Sequence, residues 1–336
     1  MSIAPVSAPA TVSAPTLAHA PGAPFQIGLQ AVSTDDWITL DARSGAQLRA
    51  KAQLLAERPG DIVRARDNSR AAQEEVLSLL ADHLCERHCA HYVRDGTTVH
   101  ARDADVRVST ASCDEGEPDV APGGGTRGTS PARLADDLVH RDPLPLVRAA
   151  RLVPDDLVIM RASPQGHRLV AAVLAFPSSW RLAEKFNQPM ATIHAPVPGF
   201  ADGTRNARMI ERIFANLQPD VPAERFNWSL NRSGALYHPH SDHAEDAALF
   251  DQAEPAAWLR VERQTLRRLE TPGCILFTIG VSVDPLVAIA RDPNGPAHAR
   301  RLAVQIDAMD DAEAAYKGLT ASRHAVASWL RDVAAG

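Results

Sequence analysis

Residues 259–286 read LRVERQTLRRLE-TPG-CILFTIGVSVDPL, and the fold is decided by how this stretch is read. Thr271, Pro272 and Gly273 form a turn signal between two runs of strand character. In the second run Ile275, Phe277, Ile279, Val281 and Val283 alternate, which places them on one face of a strand. The first run is unusual because Arg260, Glu262, Arg263, Arg267 and Arg268 fall on both faces of a strand that must bury at least one. A buried charge without a partner is costly. These charges therefore either pair in a ladder along a solvated edge or line a cavity, and the two readings stand level at this point.

A second antiparallel hairpin lies upstream. Asp156–Arg161 (DLVIMR) and Arg168–Phe176 (RLVAAVLAF) are apolar runs joined by Ser163–Gly166. Helical spacing predicts helices over Ala46–Glu57, stopping at Pro59–Gly60, and over Ala71–Tyr92, begun by Asn68 or Ser69. The second of these carries a stripe of Val76, Leu77, Leu80 and Leu84. A third helix spans Thr204–Leu217 and buries Met209, Ile210, Ile213 and Phe214; two more, near Ala297–Ala308 and Ser322–Val333, close the chain. Antiparallel strand pairs with helices that do not alternate regularly with them make an α+β fold. Residues 1–24 read as a disordered Ala/Pro leader, and 101–133 as a low-complexity insert. Gly123–Gly125 within the insert is no phosphate loop, because no Gly-Lys-Ser/Thr follows.

Composition narrows the class. A chain of 336 residues, 45% hydrophobic, can bury one large core or two smaller ones. Its net charge of −6 argues against a nucleic-acid partner. The longest clean apolar run, Leu169–Phe176, is too short to span a bilayer. The first residues lack a positive n-region and a continuous apolar h-region, which points to a cytoplasmic protein. Four cysteines make no disulfide framework, and Cys274 reads as a buried structural thiol.

The chemistry centres on Phe176–Phe200, FPSSWRLAEKFNQPMATIHAPVPGF. This reads as a short cationic helix, capped by Ser178 or Ser179 and ended by Asn187 and Pro189, with Arg181 and Lys185 on one face. His194 follows in a turn stiffened by Pro196 and Pro198. A rigid imidazole with cations nearby suits a haem site, in which the ring ligates iron and the cations meet the propionates. Taken alone, the stretch favours a packed turn whose histidine bonds to backbone. Two other histidine clusters are weaker. Cys85, His88 and Cys89, spaced to share one face of a helix that also carries His83 and His91, lack a fourth zinc ligand, and the cluster reads as a helix end. His238, His240 and His243 read as a surface loop.

The ordered set FPSSWRLAEK, IHAPVPG, FNWSL (Phe226–Leu230) and RVERQTLRRL, with FQIGLQ at Phe25–Gln30 and AAYKGL at Ala314–Leu319, resembles the haem-dependent oxidative N-demethylase alpha-subunit family. The likeness runs from about Phe25 to near the C-terminus, with a gap over the insert. It implies a PAS-like antiparallel sheet with flanking helices and additional N- and C-terminal helices, a single domain over 25–336 holding one haem b. The implied activity is oxidative removal of a methyl group from a small secondary amine of the dimethylamine kind, consuming O2 and yielding the shorter amine and formaldehyde. Partner subunits carrying flavin and an iron–sulfur cluster, fed by NAD(P)H, would supply electrons, since this sequence shows neither a GxGxxG after a strand nor a ferredoxin-like cysteine set.

The resemblance also implies roles for particular residues. His194 would be the axial iron ligand, with Arg181, Lys185 and Arg263 meeting the cofactor and Trp228 giving it an apolar wall. Glu262, with Asp284 as a second candidate, would attract the protonated amine and take its proton, and Asn227 would add a hydrogen bond. Where the family has an arginine after FTI, this chain has Gly280, so whatever that arginine contacts is missing or met from elsewhere. Two other classes stay open: a haem-PAS gas or redox sensor signalling through a partner, and a non-catalytic complex subunit that has lost haem.

Overall fold

A computed structural model describes residue 25 and residues 27–111, 143–244, 246–250 and 255–336. The chain opens with β1 (Gln30–Ala31), α1 (Ser44–Glu57), a single helical turn at Pro59–Ile62, β2 (Val63–Ala65) and α2 (Arg70–Arg87). β3 (Tyr92–Asp95), β4 (Thr98–Ala101) and β5 (Val106–Ser109) form a small antiparallel meander. Next come α3 (Pro145–Ala150) and the hairpin of β6 (Asp156–Arg161) and β7 (Arg168–Val173). Three helices follow it: α4 (Leu182–Lys185), α5 (Met190–His194) and α6 (Arg205–Asn216). The long strands β8 (Ala223–Asn231), β9 (Trp258–Arg268) and β10 (Cys274–Pro285) precede α7 (Gly295–Asp307), α8 (Asp311–Tyr316) and α9 (Arg323–Ala335).

The main sheet has seven strands in the order β1-β8-β9-β10-β6-β7-β2, and every neighbouring pair is antiparallel. The α+β class is thus as the two hairpins indicated. Gly273 takes φ +71° in the β9–β10 turn, where an added Cβ would lie 3.1 Å from Ala162 Cβ. Such a conformation is open to glycine and strained for most other residues.

The register defines two faces. On the front, Arg225 lies opposite Gln264, Asn227 opposite Glu262, and Phe277 opposite both Leu266 and Val158. On the back, Arg263 lies opposite Phe226 and Gly280. Helix α1 crosses the back face: Gln47 Nε2 donates to Val281 O at 2.7 Å, and the buried Lys51 Nζ reaches Val153 O at 3.0 Å and Asp156 Oδ1 at 3.8 Å. Further along that face Phe226, Trp228, Leu259 and Val261 form a second core with Leu302, Ile306 and Leu330 of the C-terminal helices.

Several boundaries differ from the sequence reading. Helix α2 ends at Arg87, five residues early, because its apolar stripe ends at Leu84 and Tyr92 is drawn into β3, where its hydroxyl donates to Leu152 O at 2.6 Å. Met209 points outward from α6, whose buried positions are Ile210 and Phe214. The first part of the expected insert is ordered, since 101–111 contain the end of β4, a turn and β5; its remainder, like the 1–24 leader, falls outside the described residues. Among the described residues no helix is long and apolar enough to cross a membrane.

Candidate cofactor and substrate cavity

The front face of the sheet is not closed by apolar packing alone. A cavity of about 500 Å³ lies over it, within the usual range for small-molecule and cofactor sites. Val158, Met160, Leu266, Phe277 and Ile279 make an apolar floor, while Arg225, Asn227, Glu262 and Gln264 make its polar end. The segment after β7 forms the facing wall with Trp180, Lys185, Ile193 and His194, and α6 adds Ile210 and Phe214. Phe25, His243, Tyr316 and Lys317 line the remainder.

The wall is built from two short helices where the sequence suggested one. Neither Ser178 nor Ser179 caps α4; Arg181 occupies that position, and Glu184 Oε2 accepts from its backbone N–H at 3.3 Å. The Arg181 guanidinium then pairs with Glu184 Oε1 at 2.6 Å, exposed and outside the cavity. Lys185 turns inward and its Nζ lies 4.3 Å from the centre of the Trp180 ring. Burial pushes its pKa down to about 8, against the pull of Glu262 and Glu184.

His194 is the last residue of α5, at the point where Pro196 and Pro198 prevent the helix from continuing. Its Nδ1 is buried without a hydrogen-bond partner. That removes the reading of a histidine held by backbone through this nitrogen. Burial, reinforced by the charges of Lys185 and Arg225, lowers its pKa to about 4. The ring is therefore neutral at physiological pH, the form in which imidazole binds a metal.

In the same cavity, Glu262 is fixed by amides. Asn227 Nδ2 and Gln264 Nε2 donate to its Oε2 at 3.2 and 2.8 Å, and Arg260 Nε stands 3.9 Å from Oε1. Lys317 Nζ donates to Asn227 Oδ1 at 2.8 Å and to Trp228 O at 2.5 Å, and burial brings its pKa down to about 8. An imidazole with a buried, unpartnered Nδ1 and an oriented carboxylate thus line the same cavity.

The family model for haem-dependent oxidative N-demethylase, alpha subunit-like, matches residues 28–327. The chain belongs to this family.

The cavity can be tested against the haem of the family's description. A neutral imidazole with an orphaned Nδ1, a broad apolar floor and inward-facing cations are the donor set and surroundings that a haem requires. The residues present fit.

Other expected site residues lie elsewhere. Arg263 is on the back face, with Nη2 2.8 Å from Glu224 Oε2 and donors on Trp37 O and Asp36 O. Asp284 is also on the back, ion-paired with Arg43 at 3.0 Å. Trp228 touches the cavity, but its indole Nε1–H donates to Gln305 Oε1 at 2.8 Å within the second core. Asn227, Glu262, Lys185 and His194 come together as one site. Gly280, where the family has arginine, also faces backward: a Cβ there would lie 3.3 Å from Asp155 Oδ2. A Cβ at that position would meet Asp155 on the back of the sheet, and Gly280 does not line the cavity.

The YHPHSDH stretch is not the surface loop its composition suggests. His238 is buried and His243 lines the cavity. The histidine–cysteine cluster is dispersed: His88 Nε2 contacts Ile38 O at 3.0 Å and His91 Nδ1 contacts Asp103 Oδ2 at 2.6 Å. No group of three or more metal-binding side chains occurs among the described residues. The sequence reading passed over Arg225, Gln264, His243, Tyr316 and Lys317. Signals existed for most of them: Tyr316 and Lys317 sit in AAYKGL, Gln264 is two residues from Glu262 on a strand, and Arg225 is two from Asn227.

Proposed function

We propose that the cavity binds one haem b, whose iron His194 would hold, and that the chain is the catalytic subunit of an oxidative N-demethylase acting on a small secondary amine. The observation that carries this reading is a neutral imidazole, its Nδ1 buried and unpartnered, lining one cavity with an oriented carboxylate. A PAS-like core is supported by strand order: β6 to β10, numbered among themselves, run 2-1-5-4-3, and helices α4 to α6 between the second and third cover the front face.

His194 would hold the iron, Lys185 would meet a propionate, and the apolar floor would keep water from the ring. When bound, the haem supplies the redox chemistry with O2 that oxidises the N-methyl carbon. The protein's own work is to receive and orient the amine. Glu262 attracts the secondary ammonium and accepts its proton at Oε1, the oxygen that Asn227 and Gln264 leave free. The substrate nitrogen is thereby left neutral, with its methyl group directed away from the carboxylate. Lys317 keeps Asn227 in place by occupying its Oδ1.

In balance, amine, O2, two electrons and two protons give the shorter amine, formaldehyde and water. The last bond to break is carbon–nitrogen, as the hydroxymethyl amine loses its O–H proton and the nitrogen regains one. The electrons come from partner subunits that carry flavin and an iron–sulfur cluster and are reduced by a nicotinamide cofactor in the cytoplasm; the alpha-subunit description of the family supports such partners.

The test is a haem-supplemented preparation, examined by absorption spectroscopy without oxygen and then with dimethylamine, O2 and a reductase. A Soret band, a shift on amine addition and formaldehyde in step with amine consumed are expected. Absence of a Soret band would point to a non-catalytic subunit, and gas binding without turnover to a sensor.

A further inference from the structure

The cavity's cations and anions do not balance, and one cation has no answer among the described residues. The carboxylates that line it are Glu184, taken by Arg181, and Glu262, held by Asn227 and Gln264. Lys317 is satisfied by Asn227 and the Trp228 carbonyl, and Lys185 lies against the Trp180 ring.

Arg225 differs from both. It projects from β8 on the front face, lines the cavity, and has a buried Nε with no hydrogen-bond partner. It makes no ion pair within 4.0 Å among the described residues, and Glu262 acts on it only from a distance. Its charge is felt by His194 and is itself countered by Glu262.

A guanidinium offers five donors in a planar fork that matches a carboxylate through two parallel hydrogen bonds. An unpaired buried charge is costly, so a residue of this kind implies an anion that arrives with a ligand. We propose that Arg225 is the receptor for a carboxylate bound in the cavity. That carboxylate belongs either to the cofactor, as a propionate, or to the substrate, which would then be an N-methyl amino acid and not a simple dialkylamine. The inference rests on the cavity being the haem and amine site.

The two sources separate by chemistry. Haem-free protein, wild type, Arg225→Gln and Arg225→Lys, would be titrated with haem and with haem dimethyl ester, whose propionates carry no charge. Each loaded protein would then be titrated with N-methylglycine and with dimethylamine, followed by difference spectra. If the propionate is the partner, wild type prefers haem to its diester by about tenfold or more, Arg225→Gln loses that preference, and Arg225→Lys retains part of it. If the substrate carboxylate is the partner, the haem preference is unchanged, while Arg225→Gln weakens N-methylglycine by about tenfold and leaves dimethylamine alone. Both ratios within about twofold of wild type in Arg225→Gln would overturn the proposal. Should wild type bind no haem, the haem reading fails by itself, and calorimetry of N-methylglycine on the haem-free protein decides Arg225: binding that the variant loses supports the receptor, and no binding to wild type refutes it.

Discussion

The two faces of strand β9 carry similar residues and have opposite fates. On the back, Arg263 is matched to Glu224 and two carbonyls, Asp284 on the neighbouring strand is matched to Arg43, and Lys51 of α1, the helix that crosses this face, closes on Asp156 at the start of β6. Every one of these charges is answered by the protein. On the front, over the cavity, the Nε of Arg225 and the Nδ1 of His194 are buried without partners, and Glu262 is held by two neutral amides, with Arg260 Nε 3.9 Å from its other oxygen. Charges answered from within are architecture. Polar groups gathered around a void and left unanswered mark a site that expects a ligand.

This contrast can be broken first on the back face, where effects on stability are largest. Lys51→Ala leaves Asp156 buried without its cation and should cost about 3–5 kcal/mol in urea unfolding. Arg263→Gln should come next: loss of a largely buried ion pair and charged hydrogen bonds is expected to lower stability by about 1–3 kcal/mol, while haem uptake per folded molecule stays at the wild-type level. Reduced uptake at full folding would return Arg263 to the cavity account.

The front face gives a pH signature. Lys317 is lowered to about 8 from 10.5 by burial, so between those values the unfolded chain holds a proton that the folded one has released. Stability then rises with pH across that window, and Lys317→Met should flatten the rise in thermal melting curves. Lys185, lowered to about 8 for the same reason, accounts for the slope that remains. The smallest effect is expected of Arg181→Ala, an exposed pair with Glu184, which should stay within about 0.5 kcal/mol of wild type and leave haem content unchanged.

The hairpins were legible because β-branched runs and a Thr-Pro-Gly turn act locally, and the register follows from them. Alternation also told that β9 charges lie on both sides, but not which side would be opposed by α1 and which by a void. That depends on Arg43 and Lys51, more than two hundred and one hundred residues away in sequence from Asp284 and Asp156. For the same reason Arg263 and Asp284 were drawn toward the site, while Arg225, on a strand whose pairing was not read, was passed over. His194 and Glu262, which line the cavity, stood out in the sequence because both sit in compact motifs. Lys317 was hidden by distance: its partner Asn227 is 90 residues away.

The central claim is that His194 is the fixed bond between this chain and its cofactor. The direct measurement is the absorption spectrum of His194→Ala after haem supplementation, beside far-ultraviolet circular dichroism of the same sample. The account predicts an intact dichroism spectrum, because Pro196 and Pro198 still shape the turn, together with sharply reduced haem retention or a changed spin state that added imidazole partly restores. A variant that keeps the wild-type Soret position and full haem occupancy would contradict it.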